Sequence, residues 1–202
     1  QYCLPCRVVT GKVDGVLRYD WSYLEDILDT MASRNHQAIL RFRYEYPSNK
    51  DVDSEVPGAT AVPQYIKDMP DYNETFSKNA GGDGPTYYAD WTNAELQWFT
   101  KQFYTDFAAR YNNDPRIAFI ELGFGHWSEY HIYGTPLKLG TNFPSKEYQK
   151  EFLLHVDNVL DIPWAISIDA ADNGYTPIVA DKDLMALNFG LFDDSFMHEH
   201  HE

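Results

Sequence analysis

Five short β-branched or apolar runs alternate with longer stretches of helical periodicity, and that alternation restricts the fold more than any other feature. The strand-like runs are CRVVTG (6–11), HQAILRFRY (36–44), RIAFIELGF (116–124), PWAISID (163–169) and LNFGLFD (187–193). Between them lie WSYLEDILDTMAS (21–33), a helical segment over 92–111, SKEYQKEFLLHVDNVL (145–160) and a short helix near 181–187. Strand, loop and helix in repetition require a parallel sheet, either doubly wound or closed as a (β/α)8 barrel. No G-x-G-x-x-G opens a helix after the first strand, and no phosphate-loop motif occurs, which argues against the nucleotide-binding sheets. The expectation is therefore an α/β chain of the (β/α)8 TIM-barrel type, with its chemistry on the loops at the C-terminal ends of the strands. About five strands fit into 202 residues, where a full barrel uses eight in ~250. The chain also stops at DDSFMHEHHE, directly after a strand. Residues 1–202 are read as one domain, the N-terminal portion of an incomplete barrel.

The helices carry their own signatures. Ser22 with Glu25, and Thr92 with Glu95, have capping-box spacing ahead of apolar stripes. The stripes are Leu24, Ile27, Leu28 and Met31 in the first helix, and Leu96, Phe99, Phe103 and Phe107 in the second; both read as core. One connection breaks the rhythm. Residues 45–91, rich in Pro, Gly, Asp and Tyr, exceed the ~15 residues beyond which a loop is usually functional or disordered. Leaving the C-terminal end of a strand, this insertion is expected to form a wall on the substrate side.

Composition narrows the partners. The formal charge is −15 and the pI about 4.7, so phosphate backbones and anionic lipid surfaces are repelled. No window approaches the ~18 apolar residues of a membrane span. No targeting signal is visible, and a chain opening on Gln1 without an initiator Met is expected to be trimmed or to start inside a longer one. Aromatics reach 16%, with 15 Tyr, 12 Phe and 5 Trp, which offers flat, half-polar surfaces for sugar rings. Cys3 and Cys6 in CLPC have redox-motif spacing without the strand before and the helix after that such a motif needs, so no redox role is expected. Asn73-Glu74-Thr75 is a glycosylation sequon in a secretory context. No cofactor is implied.

The densest chemistry is GFGHWSEYH (123–131), which follows the apolar RIAFIEL. His126, Glu129 and His131 are spaced i, i+3, i+5, unlike the i, i+4 pair of helical zinc sites, so no metal is expected there. The terminal HEHHE (198–202) reads as a solvated end. Glu121, inside the apolar strand, needs a partner if buried, and Arg41 and Arg43 are placed to supply one. Glu129 is different: a partly desolvated carboxyl beside Trp127 favours its acid form, as a general acid at neutral pH requires. Gly123 and Gly125 let the backbone turn sharply there.

RYNNDPRIAFIELGFGHWSEYH resembles the strand ending in G-x-W-G-E-W-H in a family of bacterial barrel proteins. That family is related to clan A glycoside hydrolases with β-galactosidase and agarase members. YDWSYLEDILDTMASRNHQAILRFRYEYP, VPQYIKD and FGLFDDSF are similar to further segments of the same family in the same order, covering most of residues 15–196. Ser128 stands where the family has Gly, and Tyr130 where it has Trp. The resemblance implies a barrel acting on glycosidic bonds, an extracellular or cell-surface location, and Glu129 as general acid/base. Such hydrolysis needs a second carboxylate, for which Asp169, Asp193 and Asp194 are candidates; Asp194 is the choice. Trp127 would stack on a sugar ring, His126, His131 and Asp169 would bind hydroxyls, and Arg41, Arg43 and Glu121 would form the supporting charge network. Two other classes stay open: a non-catalytic glycan-binding or surface-structural barrel, and a metal-dependent hydrolase on His126, Glu129 and His131. The rest of the barrel would come from another segment.

Overall fold

In a computed structural model, which describes residues 2–48 and 56–194, the alternating pattern builds one parallel sheet. The chain runs β1 (Tyr2–Cys3), α1 (Pro5–Val8), β2 (Val9–Val13), β3 (Val16–Tyr19), α2 (Ser22–Ala32) and β4 (Ala38–Phe42). It continues through α3 (Gln64–Lys67), β5 (Thr75–Ser77), β6 (Thr86–Tyr88), α4 (Ala94–Tyr111) and β7 (Ile117–Leu122). The last elements are α5 (Lys146–Val159), β8 (Trp164–Ser167), a 3-10 turn at Ile168–Ala171, α6 (Lys182–Met185) and β9 (Gly190–Phe192). The sheet has five strands in the order β1-β4-β7-β8-β9, every neighbouring pair parallel. It is not closed among the described residues.

The first expected strand is misplaced. Residues 5–8 are helical, and the sheet begins earlier, at Tyr2–Cys3. Val9–Val13 instead pairs antiparallel with Val16–Tyr19. Asp14 and Gly15 between them both have positive φ, 52° and 78°, as the tight turn of a two-residue hairpin demands. The Asp-Gly signal was in the sequence and outweighs β-branched character as a guide here. Cys3 is buried and Cys6 partly so, and burial pushes the Cys3 thiol up to about 12.

The two capping boxes do not form. Asp20 accepts the Ser22 amide at 3.0 Å, while Glu25 bonds Arg110, Arg116 and Tyr111 and ties α2 to the far end of α4. Asn93, not Thr92, caps α4 by accepting the Leu96 amide at 2.9 Å. Glu95 reaches out to Lys12 and Tyr65. The apolar stripe of α4 is core: Leu96, Phe99, Phe103 and Phe107 are fully buried.

The helices cover one face of the sheet. Leu40 pairs in register with Ile120, and Ile120 with Trp164; residues of this face are buried, and the Phe42 ring meets Phe103 and Phe107 of α4. On the opposite face Ile39 pairs with Phe119, and Arg41 with Glu121. Ile39 there is 39% exposed, unusual in a parallel sheet, whose two faces are ordinarily both covered.

The described residues of the 45–91 insertion are not a structureless loop. They carry α3 and the β5–β6 hairpin, and they fold back against the 123–131 segment: Tyr88 stacks on His126 with ring centroids 5.6 Å apart, and Tyr46 meets Trp127 at 6.1 Å.

Candidate active site at the C-terminal strand ends

Because the strands are parallel, their C-terminal ends lie along one edge, and four of them deliver polar side chains to one place. Arg41 comes from β4, Glu121 and the following loop from β7, Asp169 from just after β8, and Asp194 from just after β9. Arg41 is the centre. Its Nε donates to Glu121 Oε2 at 2.7 Å and its Nη2 pairs with the same oxygen. Nη1 and Nη2 hold the two oxygens of Asp194 at 2.6 and 3.1 Å. Nη1 also donates to the Trp127 carbonyl at 3.1 Å and lies 3.9 Å from Glu129 Oε1. The guanidinium stands over the Phe192 ring, 4.3 Å from its centre. Arg43 shares this sheet face and lies over the Tyr46 ring at 4.2 Å.

The loop after β7 is built for close packing. The Glu129 carbonyl accepts the Phe124 and Gly125 amides at 3.2 and 2.9 Å, and His131 accepts the His126 amide at 3.0 Å. A Cβ on Gly123 would sit 1.8 Å from the Ser128 carbonyl oxygen, and one on Gly125 2.1 Å from that of His131. These glycines serve close backbone approach. The left-handed residues are instead Trp127 and Ser128, with φ of 56° and 61°. Since the blocking atoms are backbone, Gly123→Ala is expected to cost at least about 2 kcal/mol of stability, measured as a lower urea midpoint. An unshifted midpoint would mean that the loop has no such packing.

This turn aims the Glu129 side chain, 13% exposed, at the cluster. Its Oε2 is 3.4 Å from His131 Nδ1, which also bonds Asp169 Oδ2 at 2.5 Å. Burial raises the Glu129 carboxyl to about 7; Asp169 and Asp194 push it the same way, against His131 and Arg41. Beside it opens a cleft of about 390 Å³, lined by Tyr130, His131, Tyr133, Ile168, Asp169, Asp172 and Tyr175. The half-buried Trp127 ring faces His131 and Tyr133 at 5.7 and 6.0 Å.

Of the residues singled out in the sequence, Arg41, Glu121, Trp127, Glu129, His131, Asp169 and Asp194 come together. His126 does not join them. It is fully buried, its Nδ1 accepts the Tyr133 amide at 3.3 Å, and burial holds its ring down to about 3. That corrects both readings of His126, as a hydroxyl binder at the cleft and as a metal ligand with Glu129 and His131: its ring turns inward because the bridge from His126 to Glu45 extends the β4–β7 pairing. Among the described residues the set whose ligand atoms lie within 4.8 Å of one another is Glu129, His131 and Asp169, donors of the kind a divalent cation accepts. HEHHE (198–202) lies outside the described residues. Tyr133, Asp172, Tyr175 and Glu45 were missed. DAADNGY (169–175) follows a strand end, so its Asp172 and Tyr175 could have been picked out by the same rule as Asp169. No helix among the described residues is long and apolar enough to cross a membrane.

No family model and no curated protein matches this chain.

Proposed function

We propose that the sheet is part of a (β/α)8 barrel and that the chain is a glycoside hydrolase, most consistent with a retaining mechanism, acting outside the cell or at its surface. Two features of the sheet support the barrel. Strand order follows chain order without reversal, whereas doubly wound sheets reverse at a switch point. Among the described residues α4 packs on the Phe42 face while Ile39 of the opposite face is 39% exposed, as with the helices on the outside of a barrel. The resemblance carried by RIAFIELGFGHWSEYH supplies the reaction class.

The single observation that carries the chemistry is Glu129: a carboxyl past a strand's C-terminal end, set directly behind His131 and Asp169 of an open cleft and raised by burial to about 7. In this reading it protonates the leaving glycosidic oxygen and then, as carboxylate, draws a proton from water. Asp194 is the second carboxylate. Its Oδ2 and Glu129 Oε1 approach the same Arg41 nitrogen, at 2.6 and 3.9 Å. They are therefore no farther apart than the lower edge of the ~6.5–9.5 Å gap of inverting enzymes, which favours retention. Trp127, Tyr133 and Tyr175 offer faces for sugar rings, and His131 and Asp169 bind hydroxyls.

Because the acid form of Glu129 does the first step, kcat/KM on an aryl glycoside is expected to fall as pH rises through about 7. The check is a pH–rate profile across a panel of nitrophenyl glycosides, where a basic limb displaced to pH 9 or beyond would exclude Glu129 as the acid. One observation favours a non-catalytic glycan-binding barrel instead: both Asp194 oxygens are engaged by Arg41, which blunts a nucleophile. Sugar binding by calorimetry with no turnover on any glycoside of the panel would select that reading.

A further inference from the structure

Glu45 carries a carboxyl that the chemistry above leaves unused, and it is fully buried. It lies three residues past β4, where its backbone extends the pairing of β4 with β7 as a single parallel bridge to His126. Its carbonyl accepts the Trp127 amide at 3.2 Å. Its Oε1 accepts the Ala89 amide at 2.9 Å. Its Oε2 has no hydrogen-bond partner among the described residues and faces His126 Nε2 at 3.9 Å, a nitrogen equally buried and equally unpartnered. Since His126 Nδ1 accepts the Tyr133 amide, the neutral ring carries its proton on Nε2, directed at Glu45.

A buried carboxyl is expensive compared with an apolar side chain of the same size, so its contacts must account for it. The carboxyl joins the Ala89 amide to His126, the residue that precedes a strained turn. Trp127 and Ser128 are consecutive non-glycine residues in the left-handed region, each at a cost of roughly 1–2 kcal/mol, and such backbone persists only where its surroundings over-determine it. Ser128 is held from one side by its hydroxyl on the Phe42 carbonyl at 2.9 Å. Trp127 is held from the other by the main-chain carbonyl of Glu45, and its neighbour His126 faces the Glu45 carboxyl. Glu129 is the next residue.

We propose that Glu45 is a positioning residue for Glu129, its carboxyl bracing the left-handed turn through the His126 ring it faces and through the Ala89 amide, whose neighbour Tyr88 stacks on that ring. It does not line the cleft, and the catalytic consequence rests on the reading of Glu129 as the acid. Glu45→Met fills the same space without an acceptor, whereas Glu45→Gln keeps the oxygen for Ala89. The readouts are the Glu129 titration, followed by carboxyl-carbon NMR, and kcat and KM on an aryl glycoside. In Glu45→Met the Glu129 midpoint is expected to fall from about 7 by at least about one unit as the carboxyl gains solvent. Turnover is expected to drop about 10- to 100-fold with KM within about threefold. Glu45→Gln should recover at least half of each change on a logarithmic scale.

A folded Glu45→Met protein with an unmoved Glu129 midpoint overturns the proposal. If Glu45→Met does not fold, His126→Phe removes both ring nitrogens while keeping a ring against Tyr88; the same shift is then expected and the same null result is fatal. Should the wild-type protein hydrolyse no glycoside while Glu45→Met still moves the Glu129 midpoint, the acid assignment fails and the positioning role stands.

Discussion

Glu129→Gln is expected to leave the fold and sugar binding intact while lowering turnover on an unactivated glycoside by about 10²–10⁴-fold, the usual contribution of a positioned acid or base. A dinitrophenyl leaving group, which departs without protonation, should recover much of the first step, so the loss on that substrate should be smaller and confined to later hydrolysis. Unchanged turnover in Glu129→Gln would sink the assignment. The same substitution has a stability signature. In the fold Glu129 keeps its proton to about 7, whereas the unfolded chain releases it near 4.5. Between those values the native state binds the extra proton, so stability falls as pH rises through the window. Glu129→Gln, which cannot ionise, should flatten that part of the profile. Thermal melts at pH 5 and pH 8 read the difference directly.

Arg41→Ala is expected to be among the most damaging single substitutions in the sheet. The Arg41 side chain is 5% exposed and its partner Glu121 12%, so removing the guanidinium strands a nearly buried carboxyl. Breaking such a pair from one side costs about 3–5 kcal/mol, a fall of roughly 1.5–2.5 M in the urea midpoint at a slope near 2 kcal/mol per molar. Arg41→Lys should be intermediate, since an ammonium cannot fork to Glu121 and Asp194 together. In the double variant Arg41→Met with Glu121→Leu most of the loss should return, because the nearly buried Glu121 charge is removed with its partner and Asp194, 48% exposed, is left to water. A double variant as unstable as Arg41→Ala would show that the cluster stabilises through something other than charge compensation.

The local periodicities were sufficient for most elements. Alternating apolar residues located β4, β7, β8 and β9 within a few residues, and the Leu96, Phe99, Phe103, Phe107 spacing located the buried face of α4, because both patterns reflect burial that every partner arrangement must satisfy. Cap identity was less secure: Ser22 and Thr92 match a short motif, but Asp20 and Asn93 win the amides, a choice among neighbouring oxygens that spacing alone does not rank. The hairpin at 9–19 was misread because β-branched residues mark strands without saying which strand they pair with.

At the site, residue type and position past a strand end pointed to Glu129 and Trp127, and left Asp169, Asp193 and Asp194 as candidates for the second carboxylate. Pairing was not legible. Arg41 and Asp194 lie far apart in the chain, and their meeting depends on β4 and β9 belonging to one parallel sheet, three places apart in its order. Whether His126 faces the cleft or the interior depends on one bridge to Glu45, and the two histidines of a six-residue stretch, His126 and His131, end on opposite sides of the same turn. Side-chain chemistry is carried by the sequence one residue at a time, but burial, proton affinity and partnership are properties of the space between elements. For Glu129 that space, enclosed by the loop after β7 and flanked by Asp169, Asp194 and Arg41, turns an ordinary carboxyl into one that holds its proton to about 7.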